Sequence, residues 1–463
     1  MAARRPPLRI PVVRAPAPHL AHERLARRHA TTFLLESREG PERLARYSFV
    51  GWSPAGTVEL GSDGLRVAGR LPTAGPGEAP LDYLRRLLRK HRVADPRQPF
   101  AGGLVGSVGS DFVRTLEPTL DPGAKAEAWP RLLLGLYLDA LVYDHRKGTV
   151  HYVSVGPDRS ADLAALREPN ARKRLRVGAV RASHDRRAFT RRVRQAQDLI
   201  RAGECFQAVL SRSYRAAYTG DLAAAYAWLR RKAHAPYLFF LRFAGPPARV
   251  LLGASPETLV RVRRGEASTF PIAGTRPLTG RPARDAALAR ELRADRKEAA
   301  EHAMLVDLAR NDLARVARPG TVRVARFRRV EPFRTVQHLV SEVQGKLAAG
   351  RDSLDALAAV FPAGTVSGAP KVRALEHIAR LEGKDRGPYG GAVAYLSFTG
   401  DLDSCIAIRC LSAQGRRLSI QAGAGIVLGS RPDAEFDETR HKARLLLEAA
   451  RRFGATLPEE AEA

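Results

Sequence analysis

Two pairs of glutamates stand three residues apart near the starts of two predicted helices. Glu298 and Glu301 lie in the segment ADRKEAAEHAMLVDLARND, and Glu435 and Glu438 lie in GSRPDAEFDETRHKARLLLEAA. Residues three apart occupy one face of a helix, so each helix presents two carboxylates on the same side. Two such faces could together hold one divalent cation, and carboxylate oxygens with few histidines favour Mg²⁺ over zinc.

Each pair also has a structural interpretation. Asp295 followed three residues later by Glu298 is a capping-box pattern, which accounts for Glu298 but leaves Glu301 unexplained. Glu438 and Lys442 are four residues apart, as in an ordinary exposed ion pair on a helix. On spacing alone, both interpretations remain open.

Four further segments combine glycine, hydroxyl and arginine residues in ways that suit an anionic ligand. FPIAGTRPLTG (270–280) is predicted to be a proline-bounded turn, and FPAGTVSGAPK (361–371) to run from a loop into the positive end of a helix. GPYGGAVAYLSFTGDLDSCIAIRC (387–410) is predicted to be a hairpin with Arg409 in an apolar strand, where burial calls for an anionic partner. QAGAGIV (421–427) allows a close approach to the backbone. A small substrate with more than one carboxylate fits this set.

The composition indicates a globular protein larger than one ordinary core. The chain has 463 residues, of which 44% are hydrophobic and 27% are charged. Its longest apolar stretch, LLLGLYLDALVY, is interrupted by Asp139, so no membrane-spanning helix is expected. Cys205, Cys405 and Cys410 form no CxxC motif, which argues against a disulfide framework or a zinc knot and predicts a cytoplasmic location.

The chain is strongly basic. It has 77 Lys and Arg residues against 48 Asp and Glu residues, a formal net charge of +29. Such a charge attracts nucleic acid nonspecifically, which keeps nucleic-acid binding as a distant alternative function. The arginines are nevertheless spread along the chain, densest over residues 171–194, and no nucleic-acid-binding module is recognisable. No specific nucleic-acid partner is therefore expected.

The order of elements predicts an α+β fold with large antiparallel sheets. Residues 16–155 are expected to be strand-rich with one helix, and AGGLVGSVGS (101–110) is predicted to be a glycine-rich turn rather than a dinucleotide-binding loop. A helix followed by a strand is predicted over residues 186–218. Later helices are predicted at residues 284–294, 296–316, 352–360, 370–381 and 431–452, the last with Ser430 as its N-cap.

Ten segments between residues 186 and 447 occur in an order that is typical of one family. They are GECFQAVLS, LLGASPE, PIAGT, KEAAEHAMLVDLARND, QHLVSEV, FPAGTVSGAPK, GPYGGAVAY, GDLDSCIAIR, QAGAGIV and EFDETRHKA. On these motifs the chain resembles the chorismate-utilising enzymes, and a weaker match continues through FLLES, YSFVGWSP and AGGLVG. The resemblance implies stacked antiparallel sheets with helices on the outer faces, a catalytic region over 186–447 and a regulatory region over 16–155.

The resemblance also implies roles for individual residues. Mg²⁺ would be held by Glu301 and Glu438, with Glu298 and Glu435 in support. Glu257 would be the general acid with a raised pKa, His338 would assist the loss of pyruvate, and Thr365 would line the ring pocket. The residues implied in substrate binding are Gly274, Thr275, Tyr389, Arg409, Gly423, Ala424, Gly425 and Lys442.

The chain is most similar to the members that convert chorismate and ammonia to anthranilate and pyruvate in tryptophan biosynthesis. Members that add water carry a lysine base where this chain has Gln207. A glutamine cannot activate water, so Gln207 is expected among the catalytic residues of an enzyme that uses ammonia. Many aminodeoxychorismate synthases carry a nucleophilic lysine where this chain has Ala273. Some of them lack it, so that folate-pathway enzyme remains the alternative. Because the chain contains no glutaminase motif, the resemblance implies a separate glutamine amidotransferase subunit as the source of ammonia.

Tryptophan is implied as a feedback inhibitor. Members inhibited by tryptophan bind it with an LLES segment and a Pro-Tyr-Met-like segment, which correspond here to residues 34–37, ending at Ser37, and to Pro236, Tyr237 and Leu238. The lead-in to the second segment and the residues after AGGLVG depart from the family pattern. These departures affect the expected strength of inhibition rather than catalysis.

Overall fold

The chain is built mainly of antiparallel β-sheet. The computed structural model describes residues 6–37, 46–94, 100–120, 129–171 and 173–459. In this part of the chain the strands are β1 (Leu8–Pro11), β2 (Thr32–Glu36), β3 (Tyr47–Trp52), β4 (Gly56–Gly61), β5 (Gly64–Gly69), β6 (Gly103–Val108), β7 (Leu132–Tyr137), β8 (Asp139–Asp144), β9 (Thr149–Ser154), β10 (Leu175–Val177), β11 (Arg181–Ala182), β12 (Gln207–Gly220), β13 (Tyr237–Phe243), β14 (Arg249–Ser255), β15 (Thr258–Arg263), β16 (Glu266–Thr269), β17 (Ile272–Pro277), β18 (Arg323–Pro332), β19 (Val336–Lys346), β20 (Gly368–Ala369), β21 (Ala392–Ser397), β22 (Leu402–Ile406), β23 (Cys410–Gln414) and β24 (Arg417–Ile426).

Helices connect and cover these strands. They are α1 (Pro18–Ala26), α2 (Pro80–Lys90), α3 (Val113–Leu116), α4 (Arg186–Arg201), α5 (Ala223–Lys232), α6 (Pro282–Ala294), α7 (Arg296–Ala314), α8 (Ser353–Val360), α9 (Lys371–Glu382) and α10 (Pro432–Arg452). None of the helices in the described ranges is long and apolar enough to cross a membrane.

The strands form two sheets. The first has the order β1-β9-β8-β3-β2-β13-β14-β23-β24-β12-β10, and β11 and β20 also pair with β12. The second has the order β17-β19-β16-β15-β22-β21-β6-β7-β4-β5, and β18 also pairs with β19. Strands from both predicted regions share both sheets, since Leu35 of β2 lies opposite Phe239 of β13, and Val105 of β6 lies opposite Tyr395 of β21.

The two sheets pack face to face on an aromatic core. Phe33, Phe49 and Phe239 come from the first sheet, and Tyr137 and Tyr395 come from the second. Separate apolar clusters lie on the outer faces, where α1, α5 and α10 cover the first sheet and α2, α7 and α8 cover the second. The α+β class and the sandwich with helices on its outer faces are confirmed.

The long helices lie where their apolar periodicity predicted them, but one predicted cap was wrong. The Asp295 carboxylate caps α7 by accepting from the amides of Lys297 and Glu298 at 3.0 and 3.2 Å. Helix α10 begins with Pro432 at its first position and has no side-chain cap. The Ser430 hydroxyl instead accepts from the Val427 amide, at 3.1 Å, and so stabilises the turn before the helix.

Three predicted loops or strands also differ from the structure. AGGLVGSVGS is mostly strand β6, whose glycines lie close to neighbouring strands in the second sheet. PIAGT belongs to strand β17 rather than to a turn, with a register shift between Ala273 and Thr275 where Gly274 has φ +64°. Arg409 lies between β22 and β23 with φ +52°, not inside a strand.

Candidate active site

The predicted site residues meet around one cavity of about 1060 Å³. Two short connections that cross between the two sheets border this cavity. One connects β14 to β15 and contains Glu257, and the other connects β22 to β23 and ends at Arg409. The predicted residues that line the cavity are Gln207, Glu257, Gly274, Thr275, Glu301, His338, Thr365, Tyr389, Arg409, Gly423, Gly425, Glu435, Glu438 and Lys442.

Hydrogen bonds lock the two crossings against neighbouring strands. The Ile406 amide donates to the Glu257 carbonyl at 3.0 Å, and the Ala254 amide donates to the Arg409 carbonyl at 3.1 Å. Each crossing is therefore fixed by the strand that leads to or from the other one. A carboxyl group and a guanidinium group are held in this way on one cavity wall.

Glu257 has the electrostatics of a general acid. Burial raises the pKa of its carboxyl to about 7, against the lowering effects of the Thr365 hydroxyl and the Lys442 charge. The Thr365 hydroxyl donates to Glu257 Oε1 at 3.1 Å. Because the side chain still opens onto the cavity, a substantial fraction of Glu257 is protonated at neutral pH and can donate a proton there.

His338 faces the same cavity as a neutral imidazole. Burial lowers its pKa, while a hydrogen bond to Gly274 has the opposite effect. Its Nδ1 lies 2.8 Å from the Gly274 carbonyl oxygen and 3.2 Å from the Thr275 hydroxyl. A carbonyl oxygen only accepts, so Nδ1 carries the proton and Nε2 is left with a lone pair that can accept one.

Arg409 and Tyr389 form the cationic and phenolic part of the wall. Burial lowers the pKa of Arg409 from its ordinary value, yet leaves it a cation, and its guanidinium donates to the Lys442 carbonyl. Burial raises the pKa of Tyr389, so its hydroxyl is a donor. Gly423 leaves room for that hydroxyl, because a Cβ at this position would lie only 2.6 Å from Tyr389 Oη.

The glutamates of α7 and α10 approach one another where Glu301 lies near Glu438. Partial burial and the nearby Glu298 carboxylate raise the pKa of Glu301, and Glu438 adds to this effect. Burial also raises the pKa of Glu435, against the effect of a hydrogen bond from Ser430 and with a contribution from Glu438. Neighbouring carboxylates that repel one another in this way would each gain from a shared cation.

The chemistry of this cluster suits a hard divalent cation. Its donors are carboxylate oxygens, and Glu435 Oε2 is buried with no hydrogen-bond partner. Within the described ranges, no three His, Cys, Asp or Glu side chains already converge as a metal site. Lys442 Nζ instead lies 2.5 Å from Glu438 Oε1 and 3.0 Å from the Gly423 carbonyl, so the expected surface ion pair also exists. The magnesium site stays a prediction.

Two predicted residues lie outside the cavity lining. The side chain of Ala424 is buried in the apolar cluster behind β24, and Glu298 lies behind Gly274, where a Cβ would be 3.1 Å from Glu298 Oε2. Lining residues that were not predicted include Lys297, Gln421 and Arg431. All three belong to motifs given above, Gln421 as the first residue of QAGAGIV, but the spacing within a motif does not show which side chains face a cavity rather than the core.

A second cavity of about 440 Å³ lies between the sheets. Ser37, Tyr237 and Leu238 line it, as expected for the predicted tryptophan site, whereas Pro236 does not. The lining residues not predicted include Arg46, Tyr47, Arg261, Arg263, Tyr395 and Asp403. Arg261 and Arg263 alternate with valines along β15, a pattern that places both charged side chains on one face of the sheet.

The second cavity contains a buried ionic group next to the active site. Arg261 and Asp403 form an ion pair at 2.9 Å, and the Tyr237 hydroxyl lies 2.9 Å from Asp403 Oδ1 and 2.8 Å from the Thr258 hydroxyl. A carboxylate only accepts, so Tyr237 donates to Asp403 and Thr258 donates to Tyr237. Thr258 directly follows Glu257, which joins the walls of the two cavities.

Fold and site together define a protein of the chorismate binding class. The chain belongs to the family of chorismate binding enzymes, which matches residues 30–448. It is 42% identical over 428 residues to anthranilate synthase component 1 of Methanothermobacter thermautotrophicus, covering 90% of this chain and 89% of that protein. It is 40% identical over 413 residues to the protein of the same name in Saccharolobus solfataricus, covering 89% of this chain and 92% of that protein. The crystal structure of anthranilate synthase component I from Streptococcus pneumoniae superimposes with a TM-score of 0.77 at 36% identity, covering 86% of this chain and 92% of that one.

Proposed function

We propose that this chain is the component of an anthranilate synthase that converts chorismate and ammonia to anthranilate, pyruvate and water in tryptophan biosynthesis. The observation that carries the proposal is the position of Glu257. A carboxyl group with a pKa of about 7 lines the same cavity as Arg409, His338 and the carboxylates of α7 and α10. Relatives with this name at about 40% identity over most of the chain support it.

The cavity offers separate partners for the two carboxylates of chorismate. Arg409 and the Tyr389 hydroxyl would bind the enolpyruvyl carboxylate, with the backbone of β24 around Gly423 close behind. The ring carboxylate would lie near Thr275, facing the glutamates of α7 and α10. We propose Mg²⁺ between these glutamates, principally Glu301 and Glu438, where it would act as a Lewis acid on the ring carboxylate when bound.

The chemistry then proceeds in two steps. Ammonia forms a bond to C2 of the ring while the 4-hydroxyl leaves, and Glu257 donates the proton that releases this hydroxyl as water. In the second step the C2 proton is removed and the enolpyruvyl group leaves as pyruvate, which gives the aromatic ring. His338, with a lone pair on Nε2, would accept a proton in this elimination.

The absence of a lysine at two positions favours ammonia over other nucleophiles. Gln207 lies beside Gly425, where a Cβ would be 2.7 Å from Gln207 Nε2, and an amide cannot act as the base that activates water. Ala273 offers no amine to attack the ring. Both residues line the cavity, so neither position is remote from the substrate.

Three further features complete the proposal. A glutamine amidotransferase subunit would supply the ammonia, in keeping with the component numbering of the relatives. Tryptophan would bind the second cavity and inhibit the enzyme. The cytoplasm would be the site of action, because Cys205, Cys405 and Cys410 are buried free thiols that suit a reducing compartment.

The test is turnover of chorismate with ammonium and Mg²⁺, followed by anthranilate fluorescence and chromatography of the products. Anthranilate formation that stops on addition of EDTA supports the proposed enzyme and its metal. Accumulation of 4-amino-4-deoxychorismate would identify the folate-pathway alternative. Chorismate that is left unconsumed under all conditions would overturn the proposal.

A further inference from the structure

Two charged side chains complete one edge of β12 between two strand pairings. β20 and β11 pair with this edge on either side of residues 209–213, and β24 occupies the opposite edge. No strand in the described part of the chain pairs with residues 209–213 on the first edge. The Arg386 guanidinium donates to the Val209 carbonyl in this gap. The Glu382 carboxylate accepts from the Ser211 amide at 2.7 Å, so both side chains satisfy backbone groups of the strand.

Arg386 and Glu382 form a buried ion pair. Both residues are 6% exposed, and Arg386 Nη2 lies 2.7 Å from Glu382 Oε1. The guanidinium also donates to the Val366 carbonyl at 2.6 Å. Val366 directly follows Thr365, whose hydroxyl donates to Glu257. Because a buried ion pair contributes little net stability, its contacts with segments of the active site are its more informative feature.

The carboxylate sets the direction of a chain of hydrogen bonds that leads to the active-site cavity. Glu382 is paired with Arg386, so it is a carboxylate and only accepts. The Ser211 hydroxyl donates its single proton to Glu382 Oε1 at 2.8 Å. The Ser211 oxygen can then only accept from Gln421, whose side-chain amide nitrogen is 2.7 Å away. The group of Gln421 that faces Ser211 is therefore the NH₂ group and not the carbonyl oxygen.

Gln421 brings this chain of hydrogen bonds to the cavity. It lines the active-site cavity, whereas Ser211 does not. Gln421 and Gly423 lie on the same face of β24, and Gly423 leaves the space beside the Tyr389 hydroxyl. Gln421 is thus the next side chain along the strand from the groups proposed to bind the enolpyruvyl carboxylate. With one N–H bonded to Ser211, its second N–H can donate to that carboxylate.

We propose that Gln421 is a further donor to the enolpyruvyl carboxylate of chorismate, and that Glu382 and Ser211 are positioning residues that hold its amide in this orientation. The inference deepens the proposed function and rests on it. Without the Ser211 hydroxyl, the amide can turn and present its oxygen, which repels a carboxylate. The affinity for the enolpyruvyl side of the substrate then falls, while the affinity for the ring side does not.

The test measures two dissociation constants by titration calorimetry, with Mg²⁺ and without ammonia. One ligand is chorismate, and the other is benzoate, which has a ring carboxylate but no enolpyruvyl group. Gln421→Met removes the donor at similar length, so the dissociation constant for chorismate should rise by at least about tenfold. The constant for benzoate should stay within about twofold of the wild-type value.

A double variant separates positioning from direct contact. Ser211→Ala should raise the dissociation constant for chorismate by at least about threefold and leave that for benzoate unchanged. Because Ser211 acts only through Gln421, Ser211→Ala combined with Gln421→Met should match Gln421→Met alone. Thermal unfolding of each variant verifies the fold.

Ser213→Ala is the matched control. Ser213 is the next buried serine on the same face of β12 and lies opposite Gln421 in the strand register. Its hydroxyl accepts from Lys384 Nζ at 2.7 Å instead of taking part in the chain from Glu382. The affinities of this variant for chorismate and for benzoate should equal those of the wild-type chain.

Each outcome decides the question. Selective weakening of chorismate binding, with no added effect in the double variant, supports the proposal. Wild-type affinity for chorismate in either single variant, an equal loss for benzoate, or an equal loss in Ser213→Ala overturns it. A wild-type chain that binds chorismate but forms no anthranilate with ammonium refutes the proposed function, while the affinities still decide the role of Gln421. A wild-type chain that does not bind chorismate overturns both.

Discussion

The Tyr237 hydroxyl lies 2.8 Å from the hydroxyl of Thr258, the residue that follows Glu257. Tyr237 and Thr258 lie on strands of different sheets, β13 and β15. This contact is a polar link between the second cavity and the backbone of the residue that we propose as the general acid. A ligand that shifts Tyr237 can therefore act on the backbone that positions Glu257.

Thr258→Val is expected to separate tryptophan binding from tryptophan inhibition. Valine matches threonine in shape but removes the hydroxyl donated to Tyr237, and Thr258 is not among the residues that line the second cavity. The dissociation constant for tryptophan, from fluorescence titration, should change less than about threefold, while the inhibitory concentration rises by at least about tenfold. Parallel changes in both quantities would show that the hydroxyl pair does not transmit inhibition.

Loss of the Glu257 carboxyl should disable catalysis without unfolding the chain. Glu257→Gln keeps the shape and the hydrogen bond from Thr365 but has no acidic proton, so kcat should fall by about 10²–10⁴-fold. Circular dichroism and thermal unfolding would verify the fold. A variant that retains more than a tenth of the activity would show that another group protonates the leaving hydroxyl.

The pH dependence follows from the same carboxyl group. The folded pKa of Glu257 is raised to about 7, so its acidic form predominates below this pH and is lost as the pH rises through it. We expect kcat/KM to be level below about pH 7 and to fall about tenfold per pH unit above it. The assay needs a constant concentration of un-ionised ammonia. A profile that is level to pH 9 would contradict the assigned role.

Removing either principal carboxylate of the proposed metal site should weaken cation binding. Glu301→Gln and Glu438→Gln each delete a charged oxygen ligand, so the affinity for Mn²⁺, measured by electron paramagnetic resonance as a probe for Mg²⁺, should fall by at least about tenfold. Glu448→Gln, which alters an exposed glutamate on the same helix as Glu438, is the control. Unchanged Mn²⁺ binding in both variants would place the metal elsewhere.

Gly423→Ala should weaken substrate binding by displacing Tyr389. The added Cβ would lie 2.6 Å from Tyr389 Oη and 2.8 Å from the Leu210 carbonyl, closer than either contact permits. The KM for chorismate should rise by about tenfold or more, with a smaller effect on the fold. Gly178→Ala is the control, because its Cβ would meet nothing nearer than 3.5 Å. An unchanged KM would show that Tyr389 does not contact the substrate.

Local patterns predicted local structure well. The apolar periodicity gave α4, α6, α7, α8, α9 and α10 nearly in full, and the cap at Asp295 followed from its spacing to Glu298. Ser430 does not cap α10 because the helix begins at Pro432 and the Ser430 hydroxyl accepts a hydrogen bond from the Val427 amide in the preceding turn. Gly274 was assigned to a turn because a bulge inside a strand and a turn require the same backbone freedom.

Pairings between distant parts of the chain were beyond what periodicity can predict. Nothing in the alternation of β6 says that it lies beside β21, nearly 300 residues later in the chain, or that β2 lies beside β13. The site residues were found because they stand in quoted motifs. Arg261 and Arg263 were missed because their significance depends on the opposite sheet, which supplies Tyr237 to the same cavity.

The crossings at Glu257 and Arg409 make the spacing between the two sheets part of the geometry of the active site. Glu257 and Arg409 each lie on a connection that runs from one sheet to the other. The distance between them therefore depends on how far the side chains packed between the sheets hold the sheets apart. Phe33 and Tyr137, whose rings meet edge to face at 4.6 Å, are among these side chains. A smaller side chain at Phe33 or Tyr137 would change the distance between Glu257 and Arg409, although neither aromatic residue lines either cavity.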